Sequence, residues 1–303
     1  MKLFKDRDFT PLMYRRLLEA LRTRGYRFQT FEEYCSDPGQ RVVILRHDVD
    51  RKSRNALMTA EIESGLGIRA SYHFRLAGSS NVPEMITRIA ESGHEIAYHY
   101  EDLATAVKRY GKHGIKTLEY LSDEAVKSFR SGLEYFRQYY PVRVISMHGS
   151  PANRLDNRML WKYHDYRESG IICEPYFDID HSDMLYLTDT GRRWDGDRFN
   201  IRDRAADRGR TITSEGYGGW KRRPAYGSLM DPTPAVAELR SRYKVHSTSE
   251  IISLAVAGSL PAKMIFNTHP ERWHSSLIPW IIELFEQHIR NFIKMLVIRY
   301  RYR

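Results

Sequence analysis

A chain of 303 residues, 42% hydrophobic and 28% charged, is long enough to bury a substantial core and has the balance of an ordinary globular protein. No unbroken apolar run reaches membrane-spanning length, and the charged opening MKLFKDRDFTPLMYRR does not read as a secretory leader. Cys35 and Cys173, the two cysteines, have neither metal nor redox spacing, so a disulfide framework is excluded and a cytoplasmic location is expected.

The net charge of +10 is spread along the chain rather than gathered in a stripe. That argues against nucleic acid; most of the charge reads as a solvated basic surface, with an anionic substrate or an anionic membrane surface open as partners of the local excesses at 192–223 and after 290. In chain order, Thr10 before Pro11 marks a helix start, with Met13, Leu17, Leu18 and Leu21 on one face and Gly25 at its end. A short strand over 26–28 follows, and Thr30 with Glu33 forms a capping box for a second, short helix. Val42, Val43, Ile44 and Leu45 form a buried strand ending in Arg46-His47-Asp48-Val49-Asp50. Helices over 53–64, 82–91 and 123–139 then alternate with strands over 70–74, 95–98 and 142–147. Further strands are expected at 171–173, 186–188, 243–246 and 264–267, with a helix over 249–257.

Strands alternating with helices predict an α/β fold: a distorted (β/α) barrel of mainly parallel strands with outer helices, one domain with long loops. Residues 1–40 read as a helical lead-in packed on the barrel, 41–275 as the barrel itself with a loop insert at 191–228, and 276–303 as an amphipathic helix with a basic tail. In that last stretch Ile278, Ile281, Ile282, Phe285, Ile289, Phe292, Ile293 and Leu296 recur at helical spacing, opposite Glu283, Glu286, Arg290 and Lys294. The stripe is expected to dock on its own domain. The alternation of Arg and Tyr over 299–303 leaves peripheral contact with anionic lipid open.

Reacting groups in parallel α/β folds gather at the C-terminal ends of strands. There the sequence places His47, Asp48 and Asp50; then His99, Glu101 and Asp102; then His148; then Asp189, Arg192, Arg193 and Trp194; then His269. One Asp at a strand end is a turn former, but His or Asp at five of them implies a shared purpose. Carboxylates and imidazoles together suit one divalent metal ion, with a position left for water. His94 reads as structural in its Gly-His-Glu turn, His47 as packed beside the strand end and His73 as a core histidine.

The stretch Arg-His-Asp-Val-Asp over 46–50 resembles the first motif of NodB-homology polysaccharide deacetylases (carbohydrate esterase family four). Gly-His-Glu-Ile-Ala-Tyr-His over 93–99 is similar to their second motif; 144–151 and 265–269 fall where the later ones occur. The resemblance spans about 41–273 and implies a carbohydrate deacetylase on 41–275. It implies Asp48 as catalytic base, Asp50 and His99 as metal ligands, and His269 as the acid that protonates the leaving amine. The second motif departs from the family: four residues after His99, where members place another histidine, this chain has Leu103, which cannot bind a metal. His148 is the replacement chosen here, with Glu101 and Asp102 as competitors. The ion is expected to be zinc. Asp189, Arg192 and Trp194 are taken as substrate-binding residues, able to grip a sugar or its phosphate.

The basic surface favours an anionic, carrier-linked acetylated amino sugar, hence a glycan precursor, over a neutral polymer. Alternatives are a non-catalytic glycan- or lipid-carrier-binding protein on the same fold, or an amidohydrolase acting on a small non-sugar amide. Asp48 could also serve only as an ion-pair partner of Arg46 or Arg51.

Overall fold

The computed structural model describes residues 7–111, 117–149, 155–194, 238–239 and 241–301, with side chains as far as Ile293. Thr10 caps α1 (Pro11–Thr23), its hydroxyl accepting from the Met13 amide, and Met13, Tyr14, Leu17, Leu18 and Leu21 are buried along one face. After β1 (Arg27–Gln29), the expected capping box opens α2 (Phe31–Ser36). Each such cap is worth about 1 kcal/mol. The chain continues through β2 (Val42–Val49), α3 (Ser53–Ser64), β3 (Ser71–Phe74), α4 (Pro83–Glu91), β4 (Glu95–Tyr100), α5 (Asp102–Tyr110) and α6 (Leu118–Arg137). Then come β5 (Ile145–Met147), α7 (Pro175–Asp178), β6 (Met184–Thr188), α8 (Thr248–Ala257), β7 (Lys263–Thr268) and α9 (Leu277–Arg301).

The strands pair in parallel in the order β5-β4-β3-β2-β7-β6, and β1 pairs with the first half of β2. The sheet curls into a half-barrel with helices around it, the expected α/β class. Because successive side chains of a strand point to opposite faces, β2 divides by parity. Val43 and Leu45 join the large core between sheet and helices. Val42 and Ile44 join a smaller cluster on the inner face, with Ala97, Val144, Ile265 and the α2 residues Phe31 and Tyr34. The inner face is thus apolar at the bottom, and the next two residues of the same parity are Arg46 and Asp48. A polar top on an apolar floor is what positions the site.

Several boundaries differ from expectation. β2 runs on to Val49 because β3 pairs with Arg46 through Val49 and holds that segment extended. The 171–173 segment contributes one parallel bridge, Cys173 to Val144, rather than a strand. At 243–246 Tyr243 and Val245 are buried without strand pairing. α5 was missed because it follows β4 without a loop, and α6 starts at Leu118 under the cap of Thr117. Of the loop insert, residues 195–228 lie outside the described residues.

The C-terminal helix overturns its expectation. The face of α9 against the domain carries Trp280, Glu283, Gln287 and Asn291, all buried, whereas Ile278, Ile282, Phe285, Ile289, Phe292 and Ile293 are exposed. Glu283, assigned to the solvent face from sequence, is fully buried and paired with Lys52 at 3.1 Å and with Arg290.

Candidate metal and catalytic site

Register brings the polar tops of the strands together. Asp48 lies beside His73 on β3, His99 beside Ser146 on β5, and Arg46 beside Asn267 on β7. Asp50 follows the end of β2, and His148 follows β5, its amide donating to the Tyr100 carbonyl at 2.7 Å.

Asp50, His99 and His148 each offer a ligand atom, and the three atoms lie within 4.8 Å of one another. The His148 Nε2 to Asp50 Oδ1 distance is 3.6 Å. A tetrahedral ion with bonds of about 2.0–2.1 Å wants ligand atoms about 3.3 Å apart, so little contraction is needed. Both imidazoles are oriented from behind. His99 donates from Nδ1 to the Ser146 carbonyl at 3.0 Å, which leaves Nε2 as the lone-pair nitrogen. Burial, relieved in part by Asp48, pushes the His99 imidazole down to about 3, so it stands neutral, as a ligand must. His148 donates from Nδ1 to Glu101 Oε2 at 2.9 Å. Glu101 is gripped in turn by Arg75 through Oε1, at 3.1 and 2.6 Å. Burial opposes its ionisation, but the bonds from His148 and Arg75 hold the Glu101 carboxyl down at about 2. Asp50 Oδ1 is buried without a hydrogen bond among the described residues, with Arg75 Nη1 at 3.9 Å, beyond hydrogen-bond reach, so a lone pair stays open to a ligand. The two-nitrogen, one-oxygen donor set fits a borderline divalent ion such as zinc.

Of the competitors for third ligand, Glu101 is committed to orienting His148. Asp102 faces the helix layer, accepting from Tyr98 at 2.8 Å and Ser128 at 2.6 Å, with burial raising it to about 6. A second, deeper group shares His99: Asp48, His73 and His99 also lie within 4.8 Å, all buried. His73 has no hydrogen bond at either ring nitrogen among the described residues. The Arg46 guanidinium already neutralises Asp48, which makes this deeper group the poorer cation site.

Asp48 is held on both oxygens. Arg46 Nε donates to Oδ1 at 2.7 Å, Arg46 Nη2 to Oδ2 at 3.1 Å, and Asn267 Nδ2 to Oδ2 at 3.0 Å. Burial disfavours its charge, yet Arg46, with His99 and His269 nearby, keeps the carboxyl well below its ordinary range. The pairing with Arg46 weighed from sequence is therefore present, and it leaves Oδ2 facing the site at 3.9 Å from His99 Nε2.

His269 follows β7. Its Nδ1 donates to Asp189 Oδ1 at 2.7 Å and its amide to Asp189 Oδ2 at 3.0 Å. Asp189 also accepts from Trp273 Nε1 at 3.2 Å and from Arg272. Burial and Arg272 disfavour the imidazolium, but Asp189 outweighs them and the His269 pKa is raised.

The three residues expected to bind substrate, Asp189, Arg192 and Trp194, are all buried and engaged within the protein. Asp189 is fully buried and spent on His269, Arg272 and Trp273. Arg192, at positive φ after Gly191, is buried between Phe9 and Trp280, with its guanidinium 4.9 and 4.7 Å from the two rings. Trp194 is buried, its Nε1 bonded to Thr248 at 2.9 Å and its ring edge-on to Phe266. Polar and aromatic residues at a strand end resemble a sugar grip, but here Asp189 supports His269, Arg192 packs on Trp280 of α9, and Trp194 packs on β7 and α8. His47 points outward, bonded to Glu63 at 2.6 Å and Thr268 at 2.5 Å, and His94 bonds the backbone of Ala60 and Ala70. Reasoning from sequence missed the orienting residues Arg75, Asn267 and Arg272. The offset of Arg46 from Asp48, two residues along one strand, was the one visible signal of such a clamp.

No protein-family model matches the sequence, and no curated protein matches it. Among solved structures, the chain is similar to a mutant of peptidoglycan deacetylase PdaC from Bacillus subtilis, with 13% identity and a TM-score of 0.33, over 86% of this chain and 97% of that one. So loose a likeness bears on neither activity nor site.

Proposed function

We propose that this chain is a metal-dependent hydrolase that removes the N-acetyl group of an amino sugar in a glycan or glycan precursor. The observation that carries the reading is the convergence of ligand atoms of Asp50, His99 and His148 within 4.8 Å, both imidazoles held at Nδ1 by partners so that Nε2 carries the lone pair. A divalent ion held there would supply the Lewis acidity that makes water a nucleophile near neutral pH and steadies negative charge on a carbonyl oxygen. The remaining work falls to the chain. Asp48, ionised and fixed by Arg46 and Asn267, accepts the proton that water gives up. His269, kept protonated by Asp189, returns a proton to the departing amine, and Arg272 and Trp273 hold Asp189 in place for that purpose.

The test is bound-metal stoichiometry by elemental mass spectrometry on wild type, Asp50→Asn, His99→Ala and His148→Ala, followed by assays on acetylated amino sugars. The reading expects one divalent ion per chain, lost in each folded variant, and release of acetate from carrier-linked substrates faster than from neutral chitin oligomers. No ion in any sample after reconstitution would refute it. A second reading, binding of a glycan or lipid carrier without catalysis, draws on Asp48, whose two oxygens already have protein donors. Metal and ligand retained with no acetate released would favour it.

A further inference from the structure

The exposed ridge of α9 is the feature that the site leaves unexplained. Ile278, Ile282, Phe285, Ile289 and Phe292 recur at spacings of four and three residues, so they form one continuous line along the helix, with Ile293 beside it. These are large side chains with more than half of their surface in solvent, reaching 72% at Ile278 and 65% at Phe285. The helix is amphipathic in the inverted sense, polar toward the protein and apolar toward solvent. Its polar face is anchored to the domain: Glu283 pairs with Lys52 and Arg290, Asn291 donates to the Gly191 carbonyl at 3.2 Å, and Trp280 Nε1 donates to the Asp8 carbonyl at 2.8 Å. The domain therefore fixes the helix with its ridge outward.

We propose that this ridge is a membrane-docking surface that lies in the interfacial region of an anionic bilayer. Charge selects that occupant. After Glu286 the sequence has no acidic residue, and beyond Arg290 it carries Lys294, Arg299, Arg301 and Arg303, interleaved at the end with Tyr300 and Tyr302. The two acidic residues of the helix are already engaged, Glu283 with Lys52 and Arg290, and Glu286 with Arg290 at 3.1 Å. A second copy of the helix would meet this basic end with no free acidic group, whereas phospholipid headgroups of negative charge would satisfy it. No described helix is long and apolar enough to cross a membrane, so the contact is lateral.

The placement gives the contact a use. Lys52, which anchors Glu283, is two residues beyond Asp50, and Gly191, which receives Asn291, is two residues beyond Asp189. The docked helix and the metal triad thus share one rim of the barrel, and a substrate carried on a lipid would reach that rim without leaving the bilayer surface. The membrane contact stands without the deacetylase reading; only the lipid-linked nature of the substrate rests on it.

The experiment is vesicle co-sedimentation of the full chain with phosphatidylcholine alone and with phosphatidylcholine containing phosphatidylglycerol, at low and high salt. Wild type is compared with Phe285→Asp/Phe292→Asp and, separately, Ile289→Ser. Light scattering without vesicles gives the oligomeric state. Wild type should be monomeric and bind the anionic vesicles, less so at high salt. The double variant should lose at least about tenfold in partitioning, and Ile289→Ser should lose less. Both should keep the wild-type melting temperature and metal content. Equal binding by wild type and variants, or no binding to anionic vesicles, would overturn the proposal. So would a wild-type dimer that the same substitutions convert to monomer, since the ridge would then belong to a second copy. A change in metal content alone would bear on the site and not on the ridge.

Discussion

Replacing Asp189 with asparagine separates its charge from its shape. The carboxylate accepts from the His269 ring, the His269 amide, Trp273 and Arg272, and it is fully buried. Asp189→Asn preserves the volume but leaves the Arg272 guanidinium, nine-tenths buried, with no counter-charge at that position. Breaking a buried pair from one side costs about 3–5 kcal/mol. For a large domain each kcal/mol moves Tm by roughly 2 °C at the low end, so the variant should melt roughly 6–10 °C below wild type. The pH dependence has a definite sign. His269 is raised above its ordinary 6.5, so its contribution is complete below that value and lost as pH climbs through the raised pKa. Burial opposes the Asp189 charge, but Arg272 and His269 hold it below 3.8; its contribution is complete above 3.8 and lost as pH falls through the lowered pKa. The gap between wild type and variant should be widest between 3.8 and 6.5 and should narrow above that, leaving the part due to Arg272. Thermal melts followed by circular dichroism across this range measure it. The double substitution Asp189→Asn/Arg272→Met should recover most of the loss, because it removes the stranded charge as well. A single variant melting within about 2 °C of wild type, or a gap that widens as pH rises, would refute Asp189 as the counter-charge.

Further outcomes follow from the same geometry. Glu101→Gln removes the charge behind His148 and should weaken metal affinity by about 10–100-fold without abolishing it, measured by competition with a chelator; unchanged affinity would mean that His148 is not a ligand. His73→Leu replaces an imidazole with no hydrogen bond at either nitrogen, so it should keep one ion per chain and melt no lower than wild type. Loss of the ion in that variant would move the metal inward to Asp48, His73 and His99. A Cβ added at Gly132 would stand 2.7 Å from the Tyr98 hydroxyl oxygen, and that hydroxyl is fixed by Asp102. Gly132→Ala should therefore cost about 1–3 kcal/mol of stability by chemical denaturation, and a neutral result would show that the α6–β4 contact yields freely.

The fold and the convergence of Asp50, His99 and His148 are legible for one reason: strand parity is a local property. An apolar run that breaks into Arg46-His47-Asp48-Val49-Asp50 places Asp48 and Asp50 on one side and His47 on the other, and the chain follows that rule with His47 turned to Glu63 and Asp48 turned inward. His148 was reached in the same way, as the end of a neighbouring strand. The strength of each position was not legible, because it depends on which distant side chain arrives behind it. Glu101 gives the clearest case. In the sequence it competes with His148 as a ligand, and only the approach of Arg75, just past the end of β3, holds its carboxylate where it bonds His148 instead. The C-terminal helix failed for a related reason: periodicity reports that an apolar stripe exists, not which way it faces, and the buried Glu283, paired with the exposed Lys52 and with Arg290, turns it outward.

Leu103 shows how the two kinds of information combine. The position four residues after His99 lies on α5, which begins immediately after β4, and Leu103 is fully buried in the core between that helix and the sheet. A histidine there would face the helix layer, so substituting Leu103 could not rebuild a ligand without unwinding the start of α5. The proposed third ligand therefore comes from another strand end, where the β4–β5 register places it: His99 pairs with Ser146, Ser146 accepts the His99 Nδ1 proton through its carbonyl, and His148 follows two residues later. The strand that orients His99 also delivers His148, so a leucine at position 103 does not by itself argue against the proposed metal site.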